Sequence, residues 1–217
     1  MKDTILDGVH GWSAFQPDRR IDFCAWFWRR PGGNVMFDPL PLDESNARFV
    51  EAAGGVACVL LTNADHWRGT SAVVDRFGAK VCAPSGDRER FEARAERVDV
   101  WFDSVAQLPC GLAGDLELRL LHGGKSPVEA AFWLKPVRGL YLGDAVRSHV
   151  SGVLRLLPDD KLADRARLCA DLATLRDLNL QALLLGDGDS FFCGARGAFL
   201  AFLRELESAA LASRSTR

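Results

Sequence analysis

Two hydrophobic periods alternate along this chain. IDFCAWFW (21–28) is almost wholly apolar and β-prone, and the turn RRPGGN joins it to a second such run, GNVMFDP (33–39). LDESNARFVEAAGG opens on acidic residues and closes on a glycine pair, which predicts a helix with its stop signal. VACVLLT (56–62) is short and continuously apolar, as a buried strand is. A helix near TSAVVDRFG and a strand at KVCAP complete a β-α-β unit.

The middle third changes character. RVDVWF (97–102), LELRLLHG (116–123), EAAFWLK (129–135) and GLYLGDAV (139–146) follow one another with no long helix between them, so antiparallel pairing is the cheap solution. The last third holds a helical stretch (159–179), with Leu162, Ala166, Cys169, Leu172 and Leu175 at helical spacing. A strand (181–189) and a closing helix (196–213) follow, and RSTR reads as a frayed tail. The order fits a mixed α/β chain: a single domain, residues 1–217, of two packed sheets with helices outside.

At 217 residues and 48% hydrophobic, the chain can bury one large core or at most two small ones. A net charge of -2 carries no basic excess, which argues against nucleic acid or an anionic membrane surface as partner. The N-terminus lacks the apolar segment of a signal peptide, and no run approaches the ~18 residues of a membrane span. None of the six cysteines forms a C-x-x-C pair, and Cys58 and Cys82 lie in strand-like runs. Buried thiols in a reducing cytoplasm are the expectation, and a cysteine-ligated zinc is poorly supported. CAWFWRR sets Trp26 and Trp28 on one strand face, which leaves open a dimerising surface or burial on both sides.

Polar residues recur just after apolar strands: Asp65 and His66 after VACVLLT, Asp144 after GLYLG, Asp187 and Asp189 after QALLLG. A fourth loop, HGGKSPVEAAFWL, places His122, Lys125 and Ser126 before a strand. Strand ends in layered α/β folds converge on one edge, where ligands bind. One such aspartate commonly only caps a turn. Four such loops in one small domain are hard to treat as independent.

In order, GNVMFDPLP, LTNADHWRG, GGKSPVEAAFWL, YLGDAVRSH and LLLGDGD resemble the metallo-β-lactamase fold superfamily of hydrolases, over residues 20–205. The resemblance implies a four-layer αββα sandwich of two mixed β-sheets flanked by helices, with a metal site at one edge. The family motif His-x-His-x-Asp-His falls on Leu61, Asn63, Asp65 and His66, so both histidines of the first metal are missing. Its third ligand, the histidine of a glycine-rich loop, is Lys125 here. Asp144 matches the bridging aspartate, and Asp187 stands where the last histidine belongs. By this resemblance one metal position retains Asp65, His66, Asp144 and Asp187.

Leucine cannot ligate, the asparagine oxygen binds zinc weakly, and lysine ligates only when neutral, so a conventional dinuclear zinc centre is not expected. Asp65, Asp144 and Asp187 bring three negative charges against one on Lys125, and a converging site must compensate the rest. One divalent ion (zinc, manganese, iron or magnesium) held by His66 and carboxylates would do so. So would arginine: Arg68 and Arg147 lie two and three residues beyond the motifs.

Two functions follow. The first is a single-metal hydrolase of an ester, thioester or phosphate, with Asp65 and Lys125 as catalytic candidates and Lys125 stabilising an oxyanion. The second is a non-catalytic relative whose charged cluster is structural or binds a small anionic molecule through Asn63, Arg68, Arg147 and Lys125. Lys125 as a metal-free base ranks last, because nearby carboxylates raise a lysine pKa. The substrate and oligomeric state stay open.

Overall fold

The computed structural model describes residues 1–215. The strands are β1 (Lys2–Asp3), β2 (Val9–Gln16), β3 (Ile21–Trp28), β4 (Val35–Phe37), β5 (Cys58–Leu60), β6 (Lys80–Pro84), β7 (Val100–Phe102), β8 (Leu116–His122), β9 (Val128–Leu134), β10 (Gly139–Leu142), β11 (Arg147–Val150), β12 (Val153–Arg155) and β13 (Ala182–Leu185). The helices are α1 (Glu44–Ala52), α2 (Thr70–Phe77), α3 (Arg88–Ala93), α4 (Leu112–Asp115), α5 (Arg165–Ala173) and α6 (Ala195–Ser215).

Strands β1 to β7 form one sheet in chain order, antiparallel up to β4 and parallel from β4 to β7. The second sheet runs β13-β10-β9-β8, with only the β13–β10 pair parallel. The short strands β4 to β6 are buried on both faces, and period-2 alternation sorts their side chains. Trp26, Trp28, Phe37, Leu60 and Cys82 enter the core between the sheets, where they meet Phe132, Leu134, Tyr141 and Leu184. Phe27, Met36, Val59 and Val81 point the other way, against Val50, Val73 and Phe91 of the helices. On the far side Leu140, Leu142, Leu183 and Leu185 pack on Leu168, Leu172, Phe199 and Phe202. The layers are helix, sheet, sheet and helix, so the expected sandwich is present. Trp26 and Trp28 are buried inside it, and both faces of β3 are covered from Ala25 to Trp28.

The helix boundaries follow local chemistry. Asp43 caps α1 by accepting from the Asn46 backbone N–H at 2.7 Å, and left-handed Gly78 (φ 67°) closes α2.

The structure revises four expectations. Strand β2 was not anticipated, yet it pairs with β3 along its whole length, from Val9↔Trp28 to Gln16↔Ile21. The segment 97–102 does not join the antiparallel run: β7 pairs parallel with β6, because helix α3 supplies the crossover that such a pair needs. The strand at 139–146 stops at Leu142, and a separate β11–β12 hairpin follows. The helix at 159–179 shrinks to α5, because Asp164 caps it from inside that segment, accepting from the Arg167 N–H. In the RSTR tail, Arg214 and Ser215 continue α6, while Thr216 and Arg217 lie outside the described residues.

Candidate metal centre and its charged surroundings

Five strand ends meet at one edge of the sandwich. Asp38 follows β4, the segment Thr62–His66 follows β5, Asp87 follows β6, Asp144 follows β10 and Asp187 follows β13. The two sheets are stitched here by the Ala130 N–H, which donates to the Thr62 carbonyl at 2.9 Å. Glycines before the two aspartates allow the approach. A Cβ at Gly143 would lie 2.5 Å from Thr62 Oγ1, and one at Gly186 would lie 3.2 Å from His66 Cε1.

His66 is the hub. It is 1% exposed. Its Nδ1 lies 2.5 Å from Asp38 Oδ2 and 2.9 Å from Thr62 Oγ1, and its Nε2 lies 3.3 Å from Asp144 Oδ1. Asp38 is fully buried and saturated: Oδ1 accepts from the Thr62 N–H (2.8 Å), and Oδ2 also accepts from the Thr62 hydroxyl and the Tyr141 hydroxyl (2.6 Å each). Burial and Arg68 push His66 down, but Asp38 and Asp144 outweigh them and lift the imidazolium to about 10. Burial opposes ionisation of Asp144 too, yet His66 and then Lys125 hold its carboxyl well below the usual range.

Donor atoms of His66, Asp144 and Asp187 all lie within 4.8 Å of one another. Asp187 is itself paired: Arg68 Nη2 lies 3.3 Å from its Oδ1, while the same guanidinium rests 4.6 Å from the Phe23 ring centroid. Burial and Asp144 raise the Asp187 pKa.

Asp65 is not part of this convergence. Its Oδ1 accepts from Arg90 Nη2 (2.8 Å) and Arg94 Nη2 (2.6 Å), and its Oδ2 lies 2.5 Å from Lys125 Nζ. Burial raises its pKa, but Arg94, Lys125 and Arg90 together hold it well below the carboxylate range. Asn63 is buried: its Oδ1 caps the following turn through the Asp65 N–H (2.9 Å), and its Nδ2 lies 3.5 Å from Asp144 Oδ2. Leu61 is turned away into the core under the helices. Arg147, at the start of β11, acts on Asp187 only through its charge and makes no hydrogen bond to the site carboxylates among the described residues. His122 pairs with Asp171 at 2.8 Å, and His149 is exposed.

Sequence reasoning passed over several members. Asp38 follows an apolar strand just as Asp144 does, so the same signal was available in VMFDP. Glu129 sits within an apolar strand; it is 2% exposed, accepts from the Ala145 N–H at 2.9 Å, and is raised to about 8 by burial and Asp144. Arg90 and Arg94 come from α3 and its C-terminus, which lack any distinguishing pattern.

The donor set fits one divalent ion and not two. One imidazole and two carboxylates converge, and the buried Asp38 fixes the ring so that Nε2 faces them, as a second-sphere carboxylate does for metal-binding histidines. Among the described residues, no comparable donors surround the position that the resemblance assigns to a first metal, where Leu61 is buried apolar, Asn63 caps a turn and Lys125 is cationic.

This architecture, an αββα sandwich with acidic and imidazole groups at one sheet edge, is that of a metallo-β-lactamase-like protein. A family profile described as the metallo-beta-lactamase superfamily matches residues 1–208, and the chain belongs to that superfamily. Solved structures agree on the fold. TMB-1 superposes with a TM-score of 0.71 at 16% identity, covering 94% of this chain and 97% of that one. A metallo-beta-lactamase from Pontibacter korlensis gives 0.70 at 17% identity, covering 93% and 97%. TTHA1623, solved in a di-iron-bound form, gives 0.62 at 20% identity, covering 88% and 99%. No curated protein sequence matches the chain.

Proposed function

We propose that this protein keeps the superfamily fold but has converted its metal centre into a salt-bridge and hydrogen-bond cluster, one that holds at most a single ion and does not carry out dinuclear hydrolysis. One observation supports this reading above others: Asp65, Asp144 and Asp187, and Asp38 behind His66, already have protein cations. Asp65 has Lys125, Arg90 and Arg94, Asp187 has Arg68, and Asp38 and Asp144 share His66. Such pairing supplies the compensation that a metal otherwise provides. The imidazolium of His66 would also have to give up its Nε2 proton before ligating, and its neighbours oppose that loss.

The convergence of His66, Asp144 and Asp187 favours a second reading, a single-metal hydrolase of an ester, thioester or phosphate. A bound ion there would supply Lewis acidity and an acidified water. In the chain itself, Asp38 would hold the His66 ring, Arg68 would orient Asp187, and Lys125 would offer positive charge to a developing oxyanion.

Elemental analysis of untagged protein, purified and then dialysed with zinc, manganese or iron, separates the two. The cluster reading expects well under one equivalent and a melting temperature unmoved by chelator. One retained equivalent, lost in Asp144→Ala, would replace it with the hydrolase reading.

A further inference from the structure

We infer that the β11–β12 hairpin carries an anion subsite beside the candidate metal centre, in which Arg147 and Arg155 hold the phosphate of a small phosphate monoester. The inference goes beyond the salt-bridge reading and stands whether or not His66, Asp144 and Asp187 take an ion.

The pairing of the two arginines carries the argument. Arg147 and Arg155 are direct cross-strand partners in the antiparallel hairpin. Like charges placed opposite each other lower stability, and an anion between them turns that repulsion into attraction. The chain supplies no such anion. Arg30, Arg68, Arg76, Arg90 and Arg94 each pair with a carboxylate. Neither Arg147 nor Arg155 has a side-chain hydrogen bond or salt bridge among the described residues.

Both arginines line one depression of about 420 Å³, together with His149, Val150, Leu156 and Pro158. Guanidinium groups present paired N–H donors that fit phosphate oxygens. A dianionic monoester matches both charges, where a carboxylate matches one. His149 adds a ring nitrogen, and Val150, Leu156 and Pro158 offer an apolar wall to the organic part of the ester.

The hairpin is fixed against the site. Its register shifts between Arg147 and Val150, a bulge that gives β11 an extra residue over this stretch. Ser148, inside the bulge, bonds outside the hairpin: its N–H donates to the Asp187 carbonyl, and its carbonyl accepts from the Asp189 N–H, at 3.1 Å each. Gly188 lies between those two residues, and a Cβ there would run into the Ser148 carbonyl. Arg147 therefore adjoins the loop that carries Asp187, and a ligand anchored by it lies beside the edge where His66, Asp144 and Asp187 converge.

The test is isothermal titration calorimetry on chelator-treated protein in phosphate-free, low-salt buffer at neutral pH. Phenyl phosphate, inorganic phosphate and benzoate are titrated into wild type, Arg147→Gln, Arg155→Gln and Arg97→Gln, the last removing an exposed arginine before β7. Wild type should bind one phenyl phosphate per chain, inorganic phosphate more weakly and benzoate more weakly still. Either hairpin variant should lose about tenfold or more in affinity, the worth of a charge-assisted contact, and Arg97→Gln should match wild type. Without ligand, Arg155→Gln should melt no lower than wild type, because it removes a repulsion, and phenyl phosphate should raise the melting temperature of wild type but not of this variant. Failure of folded wild type to bind phenyl phosphate overturns the inference, as does unchanged affinity in both hairpin variants. An equal loss in Arg97→Gln overturns it by making the binding non-specific, and a lower melting temperature of ligand-free Arg155→Gln overturns it by making the arginine structural. Co-sedimentation with phosphatidic acid vesicles separates the sources of the phosphate: capture by vesicles without binding of phenyl phosphate would assign the subsite to a membrane headgroup and overturn the soluble ester.

Discussion

Replacing Asp38 with asparagine preserves the side-chain shape, and asparagine tolerates the left-handed backbone at this position (φ 44°). Only the charge and one acceptor are lost. The carboxylate takes four hydrogen bonds: one on Oδ1 from the Thr62 N–H and three on Oδ2 from Thr62, Tyr141 and His66. An amide nitrogen must face one of these two sets. The cheaper orientation keeps its oxygen toward the three donors and leaves the buried Thr62 N–H unsatisfied, at about 1–3 kcal/mol. The His66 imidazolium then also loses the nearer of its two carboxylate partners, and loss of a buried partner is worth about 3–5 kcal/mol in comparable pairs. The two terms overlap, and a total of roughly 4 kcal/mol is expected. At about 2–4 °C per kcal/mol for a domain of this size, the melting temperature should fall by about 10 °C or more. Circular dichroism at pH 7 in chelator measures it. Tyr141→Phe removes only one of the donors and should lower the melting temperature by about 2–4 °C, corresponding to ~1 kcal/mol. The pH dependence follows from His66. Its pKa is lifted from 6.5 to about 10 on folding, so the stabilisation is fully present below pH 6.5 and is lost as pH rises toward 10. The gap between wild type and Asp38→Asn should narrow over that window. A fall in melting temperature no larger than that of Tyr141→Phe, or a gap independent of pH, would refute the buried ion pair.

Glu129 gives a second pH signature. Burial and Asp144 raise it from 4.5 to about 8, so the folded state keeps a proton that the unfolded state releases, and stability present below pH 4.5 is lost as pH rises toward 8. Glu129→Gln should flatten the unfolding free energy from urea titrations between pH 5 and 7 by about 2 kcal/mol relative to wild type, and parallel profiles would count against a neutral Glu129. Gly143→Ala forces a Cβ to within 2.5 Å of Thr62 Oγ1 and should cost about 2 kcal/mol or more, read as a drop in urea midpoint; an unchanged midpoint would mean that the strand ends are looser than described. Asp187→Asn removes the partner of Arg68 but leaves the Asp65 cluster intact, so it should lower the urea midpoint, and an unchanged midpoint would mean that the Arg68–Asp187 pair contributes nothing to stability.

Much of the fold was legible because its signals are local. Strand β3 and strand β6 occupy the segments read from their apolar β-prone runs, and the glycine pair after α1 closes that helix as expected. Strand β2 escaped because VHGWSAFQ mixes polar and small residues and is stabilised by full-length pairing with β3, a non-local interaction. Strand β7 carried the right composition but was assigned the wrong partners, since nothing within three apolar residues says which sheet they will join. At the candidate site, the strand-end rule picked out Asp144 and Asp187, and His66 lies with them. The rule applies equally to Asp38, which follows β4.

Residue order alone sets which groups are available: a continuous set of apolar runs for two sheets, acidic residues at the strand ends, and leucine, asparagine and lysine where the resemblance places the first metal's ligands. These are properties of residue type and local period. How the charges divide is set by the packing of the two sheets and their helices. Asp65 and His66 are neighbours in the chain, yet one faces Arg90, Arg94 and Lys125 while the other faces Asp38 and Asp144. A buried charge takes the counter-charge lying nearest in space, and those partners are brought from α3, from the loop before β9 and from the ends of β4 and β10 by sheet packing that no local pattern encodes.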